Sequence, residues 1–505
     1  MGTVSVFLLC IAAIFLIGIL GELVFARTGI PDVIWLIVVG IVLVPVAGLI
    51  SKESLIVAAP YFGALTLVVV LFDGGSELKL AELSKAAGRG TLLAVLGFLI
   101  AVLFVAPVAM IASVMGILPD SWSWMHAVML GTILGGSSSV VIMPALRKAG
   151  LAPRISNLVN LESALTDVLS VVSTGAVIQL LSAQHGEASG AGTAAVTLLK
   201  SFGIGVALGG ITGLLSVLAL RKLRKNQYAY PLTLGGLLIL YVLIDELQGS
   251  AALGILTAAV ILGNAPTLSK AIGLAKTARL GSNVKGVHGE MTFIIKSFFF
   301  CFIGAMLGPR AGQSAGNFAM LVAFGVFIGL VLFAARIPNV LAVTLKSGLS
   351  KPARSLVMVL FPRGMAAGVL AMMPHQYGIP GTRDLPVVVF SAVFTTILLF
   401  AVGFPILKKR LPEGDLEVDP KKKAKSDPAG ASMTALPGRL ERTSEPETAT
   451  EAPAKPKSGV PTEDLGSAPT RELAAGIGGA ADATTVDPNG PAAEAAIPLV
   501  SPEDS

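Results

Sequence analysis

An all-α polytopic membrane protein with about thirteen transmembrane helices is the fold class this sequence predicts, on three observations. The chain of 505 residues is 54% hydrophobic and only 13% charged. Its charges are segregated into short loops and a C-terminal tail. Apolar runs long enough to cross a bilayer recur from about residue 3 to residue 407, each needing roughly 20 residues as a helix.

In chain order the runs fall at 3–26, 31–50, 54–74, 92–117, 125–146, 155–182, 194–220, 228–247, 250–264, 291–309, 317–345, 353–374 and 385–407. No Lys or Arg precedes Arg27, so the first run lacks the basic flank of a secretory signal and is expected to be a retained helix. The ninth run is short, and the eleventh contains Arg336 and Pro338 and can be divided in more than one way. From Leu411 onward the chain is rich in Pro, Ala, Gly, Thr and Glu; residues 411–505 are expected to form a disordered cytoplasmic tail with no core to bury.

Orientation follows from basic residues. They crowd alternate loops, from Arg27 through Lys79, Arg147, Arg221 and Lys276 to Lys351, whereas the opposite loops hold only Lys52, Arg310 and Arg383, with Lys200 near a span end. The positive-inside rule then places the N-terminus outside and the C-terminus in the cytoplasm, in a multi-pass protein of the plasma (inner) membrane. The net charge of +6 reflects loops facing anionic lipid and does not suggest nucleic acid as a partner. Cys10 and Cys301 fall within spans and read as packing residues.

Two carboxylates, Glu162 and Asp167, interrupt the sixth run. A charged side chain at the bilayer centre costs roughly 2.5–3.5 kcal/mol on insertion scales, so such acids line an ion path, relay protons or form a satisfied ion pair. Five residues apart, they lie about 140° from each other round a helix and should not share one job.

Two runs are also broken. Gly135, Gly136, Ser137, Ser138 and Ser139 weaken the fifth, and Phe361-Pro362-Arg363-Gly364 interrupts the twelfth. Such segments are either close Gly/Ser packing or half-helices, whose freed carbonyls and hydroxyls suit a cation in a watery cavity. If spans one to six and eight to thirteen form two repeats, five and twelve are equivalent members, and their odd offset makes the six-helix repeats inverted. Paired interruptions at matching positions point to a transporter's binding site.

The run Glu162-Ser163-Ala164-Leu165-Thr166-Asp167 resembles the sixth-helix signature, usually E-S-x-x-N-D, of monovalent cation–proton antiporters of the NhaP-like sodium–proton branch. Leu71-Phe72-Asp73-Gly74-Gly75 resembles that family's LF-acid-G segment. Ser137-Ser138-Ser139 falls where the family often has T-D-P, and Leu247 to Asn264 is similar to its ninth-helix segment. Phe361 to Met365 resembles its broken-helix R-G motif, and Arg336 sits where it has an arginine in helix eleven. The ordered set covers about residues 3–410.

The resemblance implies a homodimer. Residues 1–410 would be the antiporter domain, with core helices at about 92–182 and 317–407, two crossed broken helices within them, and dimerisation or scaffold helices at about 3–74 and 194–309. Asp167 would bind either Na⁺ (or K⁺) or a proton, Ser163, Thr166, Ser137 and Ser138 would stand near the ion, and Glu162 would pair with Arg336. Arg363 would be the broken-helix charge. Asp73 would be an acid at the cytoplasmic approach, or else a solvated residue at the end of helix three. The cation and the proton are substrates, and no cofactor or enzymatic chemistry is expected.

The residues support exchange independently. A bare carboxylate in a partly desolvated site is costly, and a proton or a hard monovalent cation each relieves that cost. Two departures bear on selectivity: Thr166 replaces the usual asparagine, and Ser138 the usual aspartate. With Asp167 the one obvious exchangeable carboxylate, the expected exchange is electroneutral and one for one, Na⁺ first and K⁺ as the alternative. Lys296, inside the tenth run, is a candidate modulator that would pair with Asp167 or a helix carbonyl, or snorkel outward. The four histidines, at span ends or in loops, are too dispersed for a metal site; His288, beside Glu290, reads as a pH sensor or, more simply, an ordinary surface residue.

Two other classes fit less well. An uncoupled cation channel would be expected to carry a carbonyl filter resembling TVGYG, and an intramembrane hydrolase Gly-x-Ser-x-Gly or His-Glu-x-x-His; none occurs in the spans.

Overall fold

Sixteen helices are described in the computed structural model, which covers residues 3–28, 31–49, 52–78, 88–184, 191–222, 228–271, 282–309, 313–345 and 349–412. The described residues all fall within one compact unit. The expected tail lies, from residue 413 on, outside them.

In chain order the helices are α1 (Thr3–Thr28), α2 (Asp32–Ile41), α3 (Lys52–Glu77), α4 (Arg89–Val114), α5 (Trp124–Ile133), α6 (Ser139–Ala149), α7 (Pro153–Gln184) and α8 (Ala191–Lys222). There follow α9 (Ala229–Glu246), α10 (Ala251–Gly263), α11 (Ala265–Ala271), α12 (Ser282–Met306), α13 (Ala315–Thr344), α14 (Lys351–Val359), α15 (Met365–Gln376) and α16 (Leu385–Lys408). Among the described residues there are no strands. Nine helices there (α1, α3, α4, α7, α8, α9, α12, α13 and α16) are each long and apolar enough to cross a membrane; the shorter apolar stretches are Asp32–Val46, Trp124–Ile133 and Ala251–Gly263.

Local chemistry accounts for several ends. Ser250, Ser314 and Ser350 each accept a backbone N–H three residues on, from Leu253, Asn317 and Ala353, and so begin α10, α13 and α14. After Ile41 the chain widens into a π turn over Val42–Val46 that contains Pro45. Pro338, by contrast, does not divide α13, which runs unbroken through it. A single proline removes one backbone bond, and in a packed bundle neighbouring helices hold the segment straight enough to continue.

Packing follows the rule for apolar surroundings, where lipid gives no hydrophobic drive between helices and small residues permit close approach. α2 lies along α12, and a Cβ at Gly40 or Gly304 would strike the other helix's backbone. α10 packs on α3 and α8. Around the polar centre, α4 contacts α5, α7 and α13, while α16 contacts α13, α14 and α15.

Candidate functional site

Two helices stop short inside the protein and their loose ends meet. Between α5 and α6 the backbone from Leu134 to Ser138 is non-helical, and between α14 and α15 so is Leu360 to Gly364. The Ser138 N–H donates to the Pro362 carbonyl at 2.8 Å, so each break satisfies a group the other leaves open. A Cβ at Gly364 would collide with the Ser138 side chain; glycine is required there by proximity. Arg363 is buried between the breaks: its Nη1 donates to Gly135 O at 3.0 Å, and its backbone N–H donates to Thr396 Oγ1, also at 3.0 Å.

α7 passes this crossing. Its Ser163 hydroxyl donates to Ser137 O at 2.7 Å, and Thr166 Oγ1 accepts from the Ser137 N–H at 3.1 Å while donating to Ser163 O. Ser137, Ser163 and Thr166 are buried. One turn away, Asp167 is half-buried, and a Cβ at Gly136 would lie 3.1 Å from its Oδ1. No hydrogen bond reaches the Asp167 carboxylate among the described residues. A carboxylate beside the bare backbone of a helix break, with no donor committed to it, is a site that a small cation or a proton can fill.

Glu162 points elsewhere. Its carboxylate meets Arg336 of α13 end on, Oε1 to Nη1 and Oε2 to Nη2 at 2.7 Å, with both residues buried. Arg336 Nη2 also donates to the carbonyls of Val357 and Leu360 at 3.3 Å, at the end of α14. The pair therefore clamps the sixth and eleventh spans to the break of the twelfth.

A cavity of about 790 Å³ ends against Ser139, Val140 and Met143 of α6 and carries Glu22, Asp73 and Glu290 among its walls. Asp73 is not at a solvated helix end: α3 continues to Glu77, and Asp73 Oδ1 lies 3.0 Å from His288 Nε2. His288 is correspondingly no surface histidine. It is buried, with Phe72 edge-on to its ring and Tyr230 Oη 3.3 Å from its Nδ1. Lys296, for which the sequence offered Asp167 or a helix carbonyl, instead meets Asp32 Oδ2 at 2.6 Å. The signal for that pair was present: a lone acid opening one apolar run and a lone base inside another. Asn339, one turn beyond Arg336 and fully buried, carried no such signal. Among the described residues no cluster of three or more His, Cys, Asp or Glu could hold a metal.

Comparison with known proteins gives a consistent setting. Residues 11–409 match the family model described as sodium/hydrogen exchanger, transmembrane. The chain is 25% identical over 407 residues to the K(+)/H(+) antiporter NhaP2 of Shewanella sp. (strain MR-4), a match covering 79% of this chain and 65% of the relative. It is 23% identical over 334 residues to the Na(+)/H(+) antiporter ApNhaP of Aphanothece halophytica, covering 65% and 60%. The solved structure of the sodium proton antiporter MjNhaP1 from Methanocaldococcus jannaschii at pH 8 superposes with a TM-score of 0.63 at 18% identity, over 80% of this chain and 99% of that one. The fold is thus that of MjNhaP1, and the chain spans just under two thirds of the Shewanella relative's length.

Proposed function

The chain belongs to the sodium/hydrogen exchanger transmembrane family, and from that premise we propose that it is a secondary antiporter, not an enzyme, which exchanges a monovalent cation for a proton at Asp167 by alternating access. The observation that carries this reading is the Asp167 carboxylate, without a hydrogen-bonding partner among the described residues and set against Gly136 at the meeting point of two helix breaks. Competition of H⁺ and cation for one carboxylate is itself an exchange mechanism. If the core reorients only when that charge is neutralised, transport of one substrate obliges return of the other, with no resident cofactor.

Thirteen crossings result when the nine long helices are joined by α2 with its π turn, by α10, and by the broken pairs α5–α6 and α14–α15. In the orientation set by the basic loops, the N-terminus is outside, the C-terminus is cytoplasmic, and the large cavity opens to the cytoplasm of the plasma (inner) membrane. The two inverted repeats place α5–α6 and α14–α15 in equivalent positions, within a core that moves against a dimerising scaffold. One carboxylate at the crossing makes the exchange one for one and electroneutral. Na⁺ is the first candidate ion. K⁺ is the second, and Ser138 favours it: a neutral hydroxyl where a second carboxylate would stand lowers the field at the ion, which suits the larger cation. The name of the Shewanella relative points the same way.

The test is the full chain in liposomes with an internal pH dye and an imposed pH gradient, adding Na⁺, K⁺ or Li⁺ in turn, against Asp167→Asn. Valinomycin with potassium clamps the voltage in the Na⁺ and Li⁺ trials. Proton movement that a cation triggers, that survives the clamp and that disappears in the variant is expected. Equal activity in the variant, or current without proton coupling, overturns the reading.

A further inference from the structure

Behind the crossing, two arginines each leave their Nε–H unused. Arg336 directs its terminal nitrogens to Glu162, Val357 and Leu360, and Arg363 directs Nη1 to Gly135. The Nε of each is buried without a hydrogen-bond partner among the described residues. The same holds for Oδ1 of Asn339, whose orientation is set by its Nδ2 donating to Leu93 O at 3.2 Å. All three side chains line one cavity of about 10 Å³, together with Gly97, Gly135 and Glu162. Their residues are at most 6% exposed. That volume is on the order of a single water, and buried polar groups of this kind are met by ordered water wherever there is room.

We propose that this cavity is a single-water site, in which the water accepts from Nε of Arg336 and of Arg363 and donates to Asn339 Oδ1, making Asn339 a positioning residue for Arg363. The count of donors and acceptors selects water. Two N–H groups require two lone pairs, and one amide oxygen requires a proton. The second water proton then faces the Glu162 carboxylate that also lines the cavity. A chloride ion would satisfy both arginines but would face Asn339 Oδ1 and Glu162; a cation would face two guanidiniums.

The consequence reaches Asp167 through Arg363. The charged groups that act on Arg363 are Glu162 and Asp167 of α7 and Arg336 of α13, and Asp73 of α3 acts in turn on Asp167. Held by Gly135 O at one edge and by the water at the other, the guanidinium stays near Asp167 without pairing with it. Remove the water, and Nε must find another acceptor; the carboxylates are the available ones. An arginine closing on Asp167 favours its charged form and competes with both substrates for its oxygens, so release of the proton extends to lower pH.

The experiment joins a map and a profile. Cryo-electron microscopy of the full chain in nanodiscs, at a resolution that shows waters, is compared for the unaltered protein, Asn339→Leu and Gly97→Ala, whose added methyl would press on Asn339 Nδ2. Cation-driven proton movement is measured in liposomes across the pH range around neutrality. Expected is one density peak about 2.7–3.2 Å from all three atoms in the unaltered protein, lost in both variants, with the half-activation point displaced to lower pH by about half a unit or more. Arg363 Nε closing directly on Asn339 or Glu162 with no density between overturns the site. Density lost while the pH profile stays put overturns the positioning role. If Asn339→Leu does not fold, Gly97→Ala and the unaltered map decide. The pH arm rests on exchange at Asp167 and the map does not, so absent transport with density present would refute the function while leaving the water in place.

Discussion

Glu162 and Arg336 illustrate what a buried charge demands of its neighbours. Breaking such a pair by removing one partner leaves the other charge uncompensated, at a typical cost of about 3–5 kcal/mol, whereas replacing both by apolar residues is often tolerated. Glu162→Gln is therefore expected to lower thermal stability in detergent far more than the double variant Glu162→Leu/Arg336→Met, with fluorescence-detected unfolding as the readout; similar losses in both would show that the pair does not act as a unit. At the ion, Ser138→Asp restores a second carboxylate beside the crossing. The expected outcome is a higher Na⁺ over K⁺ preference together with voltage-sensitive transport, read as the ratio of half-saturating concentrations with and without a clamp. Glu162 and Asp167 stood out in the sequence because intramembrane acids are rare and costly. His288 and Asn339 did not: a helix-end histidine and an amide beside a proline are commonplace along the chain, and only the packing of α12 on α3 and of α13 on α4 gives each its partner.

Among the elements, interruptions were the more legible feature. Glycine and proline act on the backbone locally, so the breaks at Leu134–Ser138 and Leu360–Gly364 follow from residues within the segments themselves. Continuity was less legible. Pro338 carries the same local penalty as Pro362, yet α13 continues, because the surrounding helices and not the proline decide whether the segment stays helical. The Gly364–Ser138 approach gives a test at this scale. Gly364→Ala introduces a methyl into the Ser138 side chain, and overpacking of this kind costs about 1–3 kcal/mol. Adding Ser138→Gly should recover most of the lost stability. A Gly364→Ala protein with unchanged melting and transport would mean that the breaks are not held in contact in the membrane.

At the scale of the whole molecule, the two faces of the site differ. One side has the cavity of about 790 Å³; on the other, the space between α9 and α15 shrinks to about 20 Å³, walled by Tyr241, Tyr377, Gln179 and Met373. If transport requires these walls to part, joining them should stop it. In a background with Cys10 and Cys301 replaced, the pair Tyr241→Cys and Tyr377→Cys, cross-linked through two disulfides by a short bis-methanethiosulfonate reagent, is expected to lose cation-driven proton movement and to regain it on reduction; full activity in the cross-linked protein would rule out this opening. The helix order and the apolar runs were readable because hydropathy is a property of each segment alone, whereas which face stands open depends on contacts among segments far apart in the chain. The bond from Ser138 to Pro362 carries a consequence for how the protein is made. At synthesis rates of about 5–20 residues per second, the second break emerges on the order of tens of seconds after the first. Until then α5 and α6 have no Pro362 carbonyl for the Ser138 N–H and no Arg363 for the Gly135 carbonyl, and water is the partner left to both groups. The first half of this chain is, in that sense, delivered before the half that completes it.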